Sequence, residues 1–239
     1  KELANLLRVF GHMPIEAIAP MHIRQYMDLR GQVAKVRANR EKALFSHIFN
    51  KAREWGFTTA QNPCQGVKGF KETGRSRYVT DEEFDRVRAN AHCTVVDAMD
   101  IALLTGQRPA DVLKIKRTDI RDGALWIVQN KTGARLGIEI TGELAAVIER
   151  INQRPRKAIS TFLIQDENGQ PLSQGALRSR FDKARTLAKV DFQFRDIRAK
   201  AATDTGDLAH SQKLLAHKNR EMTEHYVKSR IGERVRPLR

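Results

Sequence analysis

A chain of 239 residues with 41% hydrophobic side chains can bury a sizeable core, in one large domain or two smaller ones. Its 43 Lys and Arg against 28 Asp and Glu leave a formal net charge of +15, which points to a polyanionic partner: DNA, RNA or an anionic membrane surface. No apolar run approaches the roughly 20 residues of a membrane span, the first thirty residues lack a secretory pattern, and Cys64 and Cys93 sit in contexts that offer neither a disulfide framework nor a metal-ligand spacing. A reducing intracellular compartment is expected. The start at Lys1 reads as part of something longer.

In chain order, helices come first: Leu3 to Leu7, then Pro20 to Met27 with proline at the helix start. A long helix from Val33 to Trp55 is expected to bury Val36, Leu44, Ile48, Ala52 and Trp55, with Gly56 as its stop. The stretch from Asn62 to Gly74 has three glycines, a proline and no period, so it reads as a linker. Thr80-Asp81-Glu82-Glu83 then opens a new helix as a capping box, its acidic side chains at the positive end of the dipole. Leu125–Gln129 and Leu136–Ile140 read as two strands around the turn-forming Asn130–Arg135, and Thr161–Ile164 as a third. Helices are expected again over Ser173–Lys189, Arg195–Asp204, Leu208–Ala216 and Thr223–Ser229. The fold class is therefore mainly α with a small antiparallel sheet (α+β). The domains are residues 1–70, a linker over 71–79, and 80–239 including a C-terminal tail. The first 77 residues hold 14 basic and 6 acidic side chains, so positive charge is densest in the small helical domain.

Several chemistries lack their motifs. There is no GxxxxGK[ST] phosphate loop for ATP-driven work, no acidic cluster for a two-metal nuclease, and His12, His22, His47, His92 and His210 form no metal-ligand set. Arg108 and Asp111, three apart at a helix start after Thr105-Gly106, would face the same way, so the carboxylate could hold the guanidinium; a surface ion pair is the plainer reading of such a pair alone. Arg198 follows a stripe of Phe194, Ile197 and Ala201 and is expected to border the core, although basic residues on a helix commonly form a solvated face.

The combination is more specific than its parts. Thr-Gly-Gln-Arg ending at Arg108, Lys131-Thr-Gly in a hairpin, "FRDIRAKAATDTG" around Arg198, "LLAH" ending at His217 and Tyr226 nine residues later occur in that order. This arrangement resembles the catalytic domain of the tyrosine recombinase, or phage integrase, family over about residues 78–230, and the preceding helices resemble that family's core-binding domain more loosely.

The resemblance implies roles residue by residue. Tyr226 would attack a DNA phosphodiester and form a 3′-phosphotyrosyl bond, conserving its energy so that no ATP is needed. Arg108 and Arg198 would grip the non-bridging oxygens, Lys131 would protonate the departing 5′-oxygen, and His217 would hydrogen-bond the phosphate or move the tyrosine proton. Asp111 would orient an arginine. Arg195 stands where the family commonly has histidine, so it is expected as a catalytic group or a phosphate contact; Ala216 replaces a frequent glycine. Tyr26 and Tyr78 lack a matching context, and His225 points about 100° away from its neighbour Tyr226 on a helix.

The expected activity is cut-and-rejoin recombination for integration or excision of a phage or other mobile element, without metal or cofactor, in a bacterial cytoplasm on nucleoid DNA. The implied partners are double-stranded DNA, three further copies in a homotetramer on paired sites, and accessory DNA-bending proteins, with no membrane. The tail from Val227 to Arg239, with Lys228, Arg230, Arg234, Arg236 and Arg239, would pack on a neighbouring protomer or remain a basic tail. Relaxation of supercoils by type IB topoisomerase chemistry, and DNA binding without catalysis, are the two alternatives.

Overall fold

The computed structural model describes residues 2–74, 77–155, 158 and 160–231, without the side chains of residues 225, 226 and 228–231. The chain divides into two compact units, residues 1–75 and 76–239.

In the first unit α1 (Glu2–Phe10) packs on α2 (Pro20–Glu54), whose two helical arms meet at Ala34, where φ −156° and ψ 77° break the helical path. Pro20 opens α2, and the His22 ring accepts the Ala19 N–H at 3.0 Å, satisfying one of the donors that a helix start leaves unpaired. The buried line of the second arm is Ala38, Glu41, Phe45, Phe49 and Ala52. Of the residues expected on that face, Ala52 is buried and Leu44 and Ile48 are half-buried, but Val36 and Trp55 are exposed. The shift follows from Glu41, a charge on the inner face. Its carboxylate is fully buried and accepts from Tyr26 Oη (2.8 Å), Asn5 Nδ2 (2.8 Å) and Arg30 Nε (2.9 Å). Those bonds hold it below the usual carboxylate range against the burial that opposes its charge.

The segment expected to be a linker from Asn62 is built into this unit as far as residue 70. Asn62 bonds Ser46 and Asn50, the Asn39 amide brackets the backbone of Phe70, and the Phe70 ring lies where a side chain at Gly31 would stand.

The second unit is organised around α4 (Cys93–Thr105), whose residues 97–102 are all buried. It packs against α6 (Gly142–Gln153) and α8 (Asp196–Asp204), with α3 (Asp81–Ala89) and α7 (Gln174–Leu187) closing other sides. The expected capping box at Thr80 is present, with Thr80 and Glu83 exchanging hydrogen bonds at 3.3 Å. Side chains such as Val95, Met99, Ile101, Leu125 and Phe181 fill the core; each contributes about 1.5–3 kcal/mol when fully buried. The buried charges of α4 are paired: Asp97 with Arg150 and Arg154, Asp100 with Arg88 and Arg150.

The sheet is three-stranded and antiparallel in the order β1 (Ile120–Arg121), β2 (Ala124–Val128), β3 (Arg135–Glu139), with Leu125 opposite Ile138 and Val128 opposite Arg135. The expected hairpin is β2–β3. The third strand is β1, contrary to the expectation for Thr161–Ile164. That stretch forms one isolated bridge, Lys116 to Phe162, because Leu163 and Ile164 are drawn into the core and Gly169 turns the chain directly behind them. A short helix α5 (Pro109–Val112) follows α4; α9 (Leu208–Leu215) and α10 (Arg220–Ile231) end the described chain, both packed on α8.

Candidate active site

Arg108 caps the start of α5. Gly106 makes that approach possible: it ends α4 in the left-handed region (φ 63°), and a Cβ there would stand 3.0 Å from Leu215 and 3.3 Å from Leu214. Its carbonyl accepts a hydrogen bond from Arg198 Nη1. Arg198 is itself buried, 3% exposed, because α8 is buried from Asp196 to Thr203. Its Nη2 donates to Leu215 O at 2.8 Å and lies 3.3 Å from His217 Nε2.

His217 stands just after α9, beyond Ala216. Ala216 takes the left-handed conformation (φ 49°, ψ 46°), which explains on steric grounds why glycine suits that position. A guanidinium can only donate, so His217 Nε2 accepts, and Nδ1 carries the proton toward Thr223 Oγ1 at 3.0 Å. Burial, then the charges of Arg198 and Arg108, push the imidazole pKa down to about 4, so the ring is neutral at physiological pH.

Asp111 is fully buried and 3.8 Å from Arg108, too far for a hydrogen bond. It instead accepts from the Asn130 N–H at 2.7 Å, tying α5 to the β2–β3 turn, with Lys114 at 3.7 Å. Among the described residues Arg108 donates to Gln129 Oε1, at 3.1 Å from Nη1. Gln107, Gln129, Lys114 and Thr223 were not singled out from the sequence. Gln107 lies within the Thr-Gly-Gln-Arg motif and Gln129 ends the expected strand before the hairpin, but a neutral amide carries no sign of its own of what it holds.

Lys131 is exposed at the hairpin turn, on a loop closed by Gly133 N–H to Gln129 O at 2.9 Å. Arg195 stands at the start of α8, three residues before Arg198, and lines a cleft of about 440 Å³ with Pro109, the neighbour of Arg108, and with Gln174, Arg178, Asp182 and Arg185 of α7. Tyr226 falls within α10, three residues after Thr223, and its side chain lies outside the described residues, as do His225 and the tail beyond Ile231. Tyr26 and Tyr78 are engaged elsewhere, with Glu41 and Asp204. Among the described residues no His, Cys, Asp and Glu cluster could hold a metal ion, and no helix is long and apolar enough to cross a membrane.

In the mainly helical second unit with its three-stranded sheet, Arg198 and His217 are in contact and the charge of Arg108 also reaches the His217 ring. Residues 79–232 match the model of the phage integrase family, and the chain belongs to that family. The prophage integrase IntE of Escherichia coli K12 is 27% identical over 95% of this chain and 66% of its own length. The integrase of Escherichia phage HK022 is 30% identical over 78% of this chain and 56% of its own. The chain therefore spans somewhat less than two thirds of these relatives. A lambda integrase (75–356) dimer bound to a COC′ core site superposes with a TM-score of 0.86 over 99% of this chain and 89% of that one, at 23% identity. A lambda integrase tetramer bound to a Holliday junction matches with a TM-score of 0.85 over 99% and 73%, at 22% identity.

Proposed function

We propose that the chain is the core-binding and catalytic part of a site-specific DNA recombinase that integrates or excises a phage or other mobile element. The observation that carries this reading is the convergence of Arg108, Arg198 and neutral His217, from three separate stretches of chain, with α10 bringing Tyr226 one helical turn past the His217 partner Thr223. The Tyr226 phenol oxygen attacks a phosphorus and the bond to O5′ breaks, leaving a 3′-phosphotyrosine. The phenol proton passes to His217 Nε2, and Lys131 protonates the leaving 5′-oxygen. Arg198 now occupies His217 Nε2; an incoming phosphate competes for that guanidinium and releases the nitrogen lone pair. Two arginine forks stabilise charge on the non-bridging oxygens of the pentavalent transition state, in a site where low dielectric strengthens them. Rejoining runs the same steps in reverse with a new 5′-hydroxyl.

Asp111 acts on both sides: its Oδ1 holds the hairpin that carries Lys131, and its Oδ2, 3.8 Å from Arg108, orients that guanidinium by its charge. The dense positive charge of residues 1–77 suits phosphate contacts around a duplex, so affinity falls steeply with salt. Recombination proceeds in a homotetramer on paired sites, in the bacterial cytoplasm on nucleoid DNA, with accessory bending proteins. The test is a duplex nicked near the cleavage point, which traps the intermediate. A covalent adduct that disappears in Tyr226→Phe supports the proposal; DNA binding without adduct under any condition contradicts it, and relaxation of supercoils without site preference would point to topoisomerase chemistry instead.

A further inference from the structure

The side chain of Gln129 is 1% exposed, and every hydrogen-bonding position of its amide is used. Its Oε1 accepts from Arg108 Nη1 at 3.1 Å and from Thr132 Oγ1 at 2.9 Å. Its Nε2 donates to Gln107 Oε1 at 2.9 Å and to Leu215 O at 3.1 Å. Gln107 extends the network, donating to Thr105 O at 2.8 Å and Leu214 O at 3.0 Å. The Gln129 backbone meanwhile closes the loop that carries Lys131, donating to Ala134 O and accepting from Gly133 N. One residue thus touches the arginine at the start of α5, the hairpin turn and Leu215 at the end of α9, two residues ahead of His217, and reaches the end of α4 through Gln107.

We infer that Gln129 is a positioning residue that fixes Arg108, the Lys131 hairpin and the His217 turn in one register for phosphoryl transfer. The inference rests on the recombinase reading and deepens it. Its chemistry favours an amide over a carboxylate. A neutral acceptor orients Arg108 without cancelling the charge needed on the phosphate, while the amide NH₂ supplies donors to Gln107 and Leu215 O that a carboxylate lacks. Leu215 O also accepts from Arg198, so the same carbonyl joins the two arginines through Gln129. Because the network is satisfied on every side, loss of its centre releases several catalytic groups together.

The experiment is single-turnover adduct formation by the full chain on a nicked duplex carrying its attachment sequence, with rate constant, final amplitude and apparent Kd read separately. In Gln129→Met the adduct should form about 100-fold more slowly, the scale of a misplaced catalytic group, with amplitude and Kd near those of the unsubstituted protein. A purely structural role would instead lower amplitude or affinity and leave the rate constant of the folded fraction unchanged, which overturns the inference. Should Gln129→Met fail to melt cooperatively, the exposed turn variant Thr132→Val decides. Loss of its one bond to Oε1 should slow the reaction about 3- to 10-fold at full amplitude, and an unchanged rate constant overturns the inference. An unsubstituted protein that forms no adduct overturns the recombinase reading and this inference with it, whereas adduct formation with a normal rate in the variants overturns the inference alone.

Discussion

The depressed pKa of His217 makes stability depend on pH in a way that one substitution should remove. In the native state burial and the neighbouring charges of Arg198 and Arg108 hold the imidazole near 4, against 6.5 for an ordinary histidine. Between those values the unfolded chain binds a proton that the native site refuses, so stability rises with pH through this window and falls on acidification. Between pH 7 and 4.5 this linkage amounts to about 2 kcal/mol, a substantial part of the 5–15 kcal/mol that stabilises a typical domain. Urea unfolding of the protein and of His217→Gln at both pH values isolates the contribution, since the carboxylates common to both cancel. The unsubstituted protein should lose about 2 kcal/mol more than the variant on going to pH 4.5. Parallel losses, or an NMR titration of His217 centred near 6.5, would refute the argument.

Ala216→Gly should relieve the left-handed strain after α9. Set against the greater freedom of glycine in the unfolded chain, the net gain is about 0.5–1 kcal/mol and a melting temperature higher by roughly 1–3 °C; an unchanged or lower value would mean that the turn is not strained. Lys131→Ala should slow cleavage by about 100-fold with little change in duplex affinity, and a substrate with a 5′-bridging sulfur, which leaves without protonation, should recover most of the rate. No recovery would remove Lys131 from the role of acid. Lys200, 1% exposed, pairs with Asp81 and with Asp204 at 2.9 Å and lies over the Tyr78 ring. Lys200→Met should cost about 1–3 kcal/mol in thermal or urea unfolding, and a neutral result would show that these contacts contribute nothing net.

The family and the secondary structure were legible because local chemistry announces them: Thr80 and Glu83 cap a helix wherever they occur, and Asn130–Arg135 turns a hairpin between two apolar runs. The inner face of α2 was not legible. Glu41 looks like a solvated charge until Asn5, Tyr26 and Arg30, from distant positions, close around it. Thr161–Ile164 has strand composition, yet the core takes its side chains without offering a neighbouring strand. At the site, charge and spacing marked Arg108, Lys131, Arg198 and His217. They could not mark how these groups are held, because the holders are Gln107, Gln129 and backbone carbonyls at Gly106 and Leu215. The i,i+3 pairing of Arg108 with Asp111 is present as an ion pair at 3.8 Å through Oδ2, while Oδ1 takes the Asn130 N–H at 2.7 Å, a partner that the sequence spacing does not announce.

The most direct measurement is the chemical identity of the trapped protein–DNA link. After reaction with a nicked duplex, nuclease and trypsin digestion, mass spectrometry should find one modified peptide, Glu221–Lys228, carrying a nucleotide through its 3′-phosphate on Tyr226. A link at Tyr26 or Tyr78, a 5′-phosphate attachment, or an adduct that persists in Tyr226→Phe would contradict the account.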